Sequence, residues 1–238
     1  MLTHAIMPSI ITKTATIVKM SAQAFDIHRA MRLVRAAVAA WHVPYLSQAG
    51  VNADPFRTLV ACVLSLRTKD AVTAAAAERL FAVAATPASV HALGAAQLAR
   101  LIYPVGFYNQ KARQIIRLCA QLMENFGGRV PSTLEELLTL EGVGRKTANL
   151  VITEAFGLPG ICVDTHVHRI TNRWGYVRTR TPEETEMALR TKLPARYWRS
   201  INRLLVTYGQ RRCLPVSPKC SACGLRGMCA QRGVVRPR

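Results

Sequence analysis

The sequence predicts an all-α fold, and three observations carry that expectation. Apolar residues recur at three- and four-residue steps through most of the chain. Alternating apolar–polar runs are rare and short, and helix start and stop signals punctuate the sequence at close intervals. Half of the 238 residues are apolar, enough for such helices to bury a core, and neither internal repeats nor low-complexity linkers interrupt them.

In chain order, Ile27, Met31, Val34, Val38 and Trp41 mark one face of a first helix. Asp54-Pro55 sets a cap residue before a proline at the first helical position and opens a helix over 56–66. Asp70 and Thr86-Pro87 read as further starts. A longer helix is expected after Asn109, with Ile115, Cys119, Leu122 and Phe126 inward and Gly127-Gly128 as its stop. Ser132 with Glu135, and Thr181 with Glu184, have capping-box spacing. A short helix over 134–138 leads into a glycine turn, and the last apolar helix, over 195–208, is expected to end at Gly209. Residues 1–24 precede the first acid, Asp26; their apolar run 10–18 is broken by Lys13 and no cleavage site follows. They are expected to form a loose extension, with Met20 as an alternative start.

Lys and Arg number 32 against 13 acids, a formal charge of +19, which predicts a polyanionic partner, nucleic acid above all. A ribosomal protein would share the sign but is usually shorter and less apolar. No stretch reaches the ~20 apolar residues of a membrane span. Seven cysteines without a secretory signal point to a reducing compartment, the cytoplasm before nucleus or organelle, and away from disulfides. Nothing in the sequence demands an oligomer, and a monomer is expected.

Cys213, Cys220, Cys223 and Cys229 are separated by six, two and five residues within the last 26 of the chain. Beside Pro215, Pro218 and Gly224 they can converge on one centre without help from the core. Zinc takes four tetrahedral sulfurs and a [4Fe–4S] cluster also takes four cysteines; the spacing alone leaves both open. Cys62, Cys119 and Cys162 lie in apolar runs and read as small buried hydrophobes.

The run Leu140-Glu141-Gly142-Val143-Gly144-Arg145-Lys146-Thr147-Ala148 is not a phosphate-binding P-loop, since Arg145 precedes the lysine and no strand comes before it. Nor is it a dinucleotide fingerprint, because Thr147 stands where a third glycine belongs. It reads as a tight turn between helices in which Gly142 and Gly144 let backbone N–H groups approach a phosphate, with Arg145 and the new helix's positive end adding to the grip. Lys146 falls in the first turn, where dipole and Arg145 both oppose a second cation. An environment that disfavours the ammonium favours the neutral, nucleophilic amine; the alternative is a lysine that simply touches phosphate. Eighteen residues on, Asp164 stands in Val163-Asp164-Thr165-His166-Val167. As a residue it is a helix N-cap, and a carboxylate near such an amine also favours a developing cation.

These residues together resemble the helix–hairpin–helix DNA glycosylases of the endonuclease III type. The glycine hairpin with its lysine, the aspartate in a VDTHV context and the cysteine tail occur in order, and the resemblance covers about 25–230, including Leu64-Ser65 through Asp70 and Gly106-Phe107-Tyr108-Asn109 with Lys111-Ala112. It implies a bifunctional DNA glycosylase and AP lyase acting on damaged pyrimidines in double-stranded DNA. Lys146 would attack C1′ of a flipped nucleotide and form a Schiff base, assisted by Asp164. Cys213, Cys220, Cys223 and Cys229 would hold a [4Fe–4S] cluster whose loop presents Lys219 to DNA. Arg67, Phe107 and His166 map to the family's gap-filling positions. Arg67 stands where a glutamine is common and Phe107 where an aliphatic residue is, departures that bear on lesion preference; Phe107 alone could equally be a core aromatic. The implied architecture is two helical domains with a DNA cleft between them, a barrel over 48–158 and a discontinuous domain from 25–47 and 159–238. A monofunctional adenine glycosylase is disfavoured, because Lys146 is present and Ala61 occupies the position of the acid such enzymes use. The alternative from another class is a non-catalytic DNA-binding or redox-sensing module with a metal tail.

Overall fold

The computed structural model describes residues 25–41 and 54–238, so the extension 1–24, with Met20, lies outside the described residues. Every regular element among them is helical, as expected: α1 (Ile27–Val38), α2 (Pro55–Ser65), α3 (Asp70–Val83), α4 (Pro87–Ala92), α5 (Gly94–Ile102), α6 (Tyr108–Phe126), α7 (Leu134–Thr139), α8 (Arg145–Glu154), α9 (Thr165–Trp174), α10 (Pro182–Lys192), a 3₁₀ turn at Ala195–Tyr197 and α11 (Trp198–Arg211).

Two apolar clusters organise these helices. In the first, α2 is the centre: every residue from Thr58 to Leu64 is buried, the pattern of a helix packed on all sides. Helices α3, α6 and α8 surround it, while α4 and α5 lie against α6. In the second, Met31 and Val34 of α1 meet Ile170 and Trp174 of α9, Leu189 of α10 and Leu205 and Tyr208 of α11. The extended segment before α9 joins the two, because its alternating side chains point opposite ways. Ile161 and Val163 enter the second cluster and Cys162 the first. Asn202 of α11 donates to the Cys162 carbonyl at 3.3 Å and holds the segment there.

The capping chemistry explains where the helices start. Asp54 accepts from the amides of Phe56 (2.8 Å) and Arg57 (3.3 Å). Thr86 forms a full capping box, with Ser89 as its partner. Asp70 starts α3 as expected, after Lys69, which precedes it without a side-chain cap bond. Three expectations need correction. The cap of α7 is Thr133, whose hydroxyl accepts from Glu136 N and donates to its carboxylate at 2.6 Å, so the Ser132–Glu135 register is one residue early. Helix α6 begins at Tyr108, before Asn109 rather than after it. Helix α11 begins after the 3₁₀ turn and runs through Gly209 to Arg211. Gly209 is no stop: a Cβ there would collide with the His166 ring, so the glycine serves the close approach of α11 to α9.

Candidate active site and nucleic-acid interface

The hairpin between α7 and α8 takes its shape from two glycines with different duties. Gly142 has φ +75°, left-handed backbone that calls for glycine, while a Cβ there would have only the flexible end of the Gln114 side chain to displace. Gly144 caps α8 at φ −90°, and a Cβ there would meet nothing within 4 Å. Neither strain nor internal packing explains Gly144; what it provides is bare backbone at the positive end of α8, open to an anion.

Arg145 turns away from that end. Its Nε and Nη2 donate to Glu186 of α10 at 3.0 and 2.7 Å, and Glu186 also receives Arg190 at 2.9 Å. Burial pushes the Glu186 carboxyl up, but hydrogen bonds from the two guanidiniums outweigh it and hold the group below its ordinary value. Arg190 completes the brace by reaching Asn149 of α8 at 3.1 Å. Arg145 therefore straps the start of α8 to α10, and its side chain stays 37% exposed at the surface.

Lys146, one residue on, is exposed. It lines a recess of about 190 Å³ together with Asp164, Ser65, Asp70, Asn202 and Gln210. The walls thus come from both apolar clusters. A wider groove of about 670 Å³ adjoins it and shares Lys146, Asp164 and His166, adding Arg67 and Lys69. Asp164 caps α9 as expected, but with one oxygen: Oδ1 accepts from the amides of His166 and Val167, both at 2.9 Å. Oδ2 has no such bond among the described residues, so capping leaves half of the carboxylate for the recess. His166 is half-buried; burial, opposed by Asp164, lowers its pKa and favours the neutral ring.

Arg67 and Phe107, the other two positions that the resemblance assigns to gap filling, sit on neighbouring loops. Arg67, between α2 and α3, has φ 52°, and Phe107, between α5 and α6, has φ 58°. Left-handed backbone costs a residue with a side chain roughly 1–2 kcal/mol. Phe107 is 59% exposed, which overturns the alternative of a core aromatic, and the Arg67 guanidinium lies over its ring at 5.7 Å. Gly106 permits the arrangement, since a Cβ there would sit 2.6 Å from the Arg67 carbonyl.

The four tail cysteines are free thiols that line one small cavity with Arg173, Tyr208 and Lys219. Among the described residues no three His, Cys, Asp or Glu side chains are gathered as a site for a single metal ion. The thiols nonetheless have polar partners: Arg173 Nη1 donates to Cys213 Sγ and the Gln231 amide to Cys229 Sγ, both at 3.4 Å, and the Tyr208 hydroxyl and Cys223 Sγ share a hydrogen bond at 3.0 Å. Burial pushes Cys229 up to about 11, with the other three cysteines adding to it. Such a donor set ionises when a cation is present, and its N–H···S contacts are those that surround metal-bound thiolates. Arg173, 7% exposed, also donates to the carbonyls of Leu214 and Pro215, both at 2.6 Å, fixing the loop that carries exposed Lys219. Cys62, Cys119 and Cys162 are buried, as small hydrophobes. The sequence reading missed Glu186 and Arg173. Both are ionisable residues that their helices bury, at 3% and 7% exposure, and their partners lie on other elements as well as their own.

Comparison with known proteins agrees with this geometry. Residues 60–195, more than half of the chain, match the HhH-GPD superfamily of base excision DNA repair proteins. Endonuclease III of Thermotoga maritima is 50% identical over 176 residues, 74% of this chain and 83% of that protein. Endonuclease III-like protein 1 of Gallus gallus is 46% identical over 177 residues, 73% of this chain and 63% of the longer relative. The structure of a trapped endonuclease III–DNA covalent intermediate superposes with a TM-score of 0.78 at 34% identity, covering 86% of this chain and 94% of that one. No helix among the described residues is long and apolar enough to cross a membrane.

Proposed function

Because the chain belongs to the HhH-GPD superfamily of base excision DNA repair proteins, we propose that it is a monomeric, cytoplasmic bifunctional DNA glycosylase and AP lyase of the endonuclease III type that removes oxidised or damaged pyrimidines from duplex DNA. The observation that carries the proposal is the recess shared by Lys146 and Asp164, in which an exposed lysine lines the same space as a carboxylate that caps its helix with one oxygen. A base inside a duplex is out of reach of any amine, so the nucleotide must first be extruded, at about a few kcal/mol. The gap it leaves is taken by Arg67, Phe107 and His166. The bare backbone at Gly142 and Gly144 binds one phosphate, with Arg145 bracing the helix behind it and Lys219 adding a second contact.

Chemically, the Lys146 amine forms a bond to C1′ as the C1′–base bond breaks, and the pyrimidine leaves with the bonding pair and a proton. Asp164 favours the positive charge that develops on the sugar, accepts the proton lost by the amine and passes it to the departing base. Ring opening gives a Schiff base. Loss of a C2′ proton then expels the 3′ phosphate by β-elimination, and water hydrolyses the imine to release the enzyme. The test is borohydride trapping: the protein, incubated with duplex carrying an oxidised pyrimidine, is expected to give a covalent protein–DNA adduct, and no adduct would refute the lyase. Asp164→Asn separates capping from chemistry, because Asn and Asp rank alike as N-caps. It is expected to melt within a few degrees of wild type while releasing base more slowly; Asp164→Ala should in addition lose about 1 kcal/mol of stability.

Cys213, Cys220, Cys223 and Cys229 fit a [4Fe–4S] cluster, supported by the shared cavity and the N–H···S donors. When bound, the cluster supplies a rigid anchor for the loop that carries Lys219. The purified protein is expected to be yellow-brown and to hold about four irons per chain; a colourless protein with one zinc would replace this assignment.

A further inference from the structure

Two residues in left-handed backbone, Arg67 and Phe107, are exposed side by side on loops from different parts of the chain, and one buried side chain ties both loops. Lys111 lies in the first turns of α6 and is 5% exposed. Its ammonium donates to the Leu64 carbonyl at 2.8 Å, the Leu66 carbonyl at 2.5 Å and the Thr68 hydroxyl at 3.1 Å. Three donors thus meet three acceptors, which saturates the group. Leu66 and Thr68 flank Arg67 on either side. The two carbonyls belong to the last turn of α2, which lacks helical partners and carries the negative end of the helix dipole.

The same residue also reaches the second loop. Its backbone amide donates to the Phe107 carbonyl at 3.0 Å, and Thr68, already held by the ammonium, accepts from Gly106 N at 3.2 Å. We propose that Lys111 is the positioning residue of the Arg67–Phe107 pair, setting both side chains to enter the gap left by an extruded nucleotide. The proposal rests on the gap-filling role given to the pair above. Lys111 touches neither the nucleophile nor the duplex in this scheme; it acts through the two loops.

The experiment is a mutant cycle on the full chain, read as preference: affinity for duplex with a stable abasic analogue divided by affinity for undamaged duplex. Lys111→Met is expected to lower that preference about tenfold, as is the double variant Arg67→Ala/Phe107→Ala. Adding Lys111→Met to the double variant should lower it no further, since residues acting through one contact are not additive. A residue with a merely structural role would lower both affinities together or multiply onto the double variant, and either result overturns the proposal. So does an unchanged preference in Lys111→Met. If the double variant itself keeps wild-type preference, the gap-filling role has failed, and this proposal with it. Should Lys111→Met not fold, Thr68→Val removes the hydroxyl that links the ammonium to Gly106 and must show the same dependence on the pair.

Discussion

Lys146→Gln is expected to abolish borohydride trapping, a loss of more than about a thousandfold, while leaving affinity for undamaged duplex nearly intact. Gln is one atom shorter and uncharged but keeps a polar end, and it has no amine to attack C1′. The hairpin's grip does not depend on it, because Gly142 and Gly144 present backbone and Arg145 is held by Glu186. If the lysine also touches a phosphate, the salt dependence of binding should lose about one unit of slope and no more. The measurement is adduct yield on gels beside binding to an undamaged duplex. Lys69 lines the outer groove, so a variant that still traps at the wild-type rate would move the chemistry to that amine.

Affinity for undamaged duplex is expected to fall on the order of a thousandfold or more between about 50 and about 200 mM salt, if about six phosphates are contacted. The +19 charge makes this the second large effect. Arg67, Lys69, Lys146 and Lys219 are all exposed, with the first three on one groove, so the charge is placed where a phosphate backbone can use it. Titration of a labelled duplex across that salt range gives the slope directly. A flat response would mean that shape and base contacts, not counterion release, carry the affinity.

Much of this architecture was legible beforehand for identifiable reasons. The caps at Asp54, Thr86, Thr181 and Asp164 are local chemistry, and each forms where its sequence signal lies. The hairpin, its lysine and the cysteine spacing are likewise short-range patterns. Gly209 was misjudged because a glycine ends a helix or lets another element approach, and only the neighbour, His166, decides which. Phe107 was ambiguous for the same reason: exposure depends on a left-handed backbone that the chain's tertiary packing imposes. Lys111 was open to detection, since it stands one turn before Ile115 on the inward stripe of α6, where a cation is out of place. Its partners, 43 to 47 residues away, were not.

The alternation at Ile161, Cys162 and Val163 makes the recess an interlock. Lys146 stands beside Val143 and Ala148 of one cluster, and Asp164 beside Val163 and Val167 of the other, so the pair exists only after both have folded and docked. A half-folded chain carries an amine without its carboxylate. The pairing of amine and carboxylate thus waits until the molecule is whole, held by an isoleucine, a cysteine, a valine and the pleat between them.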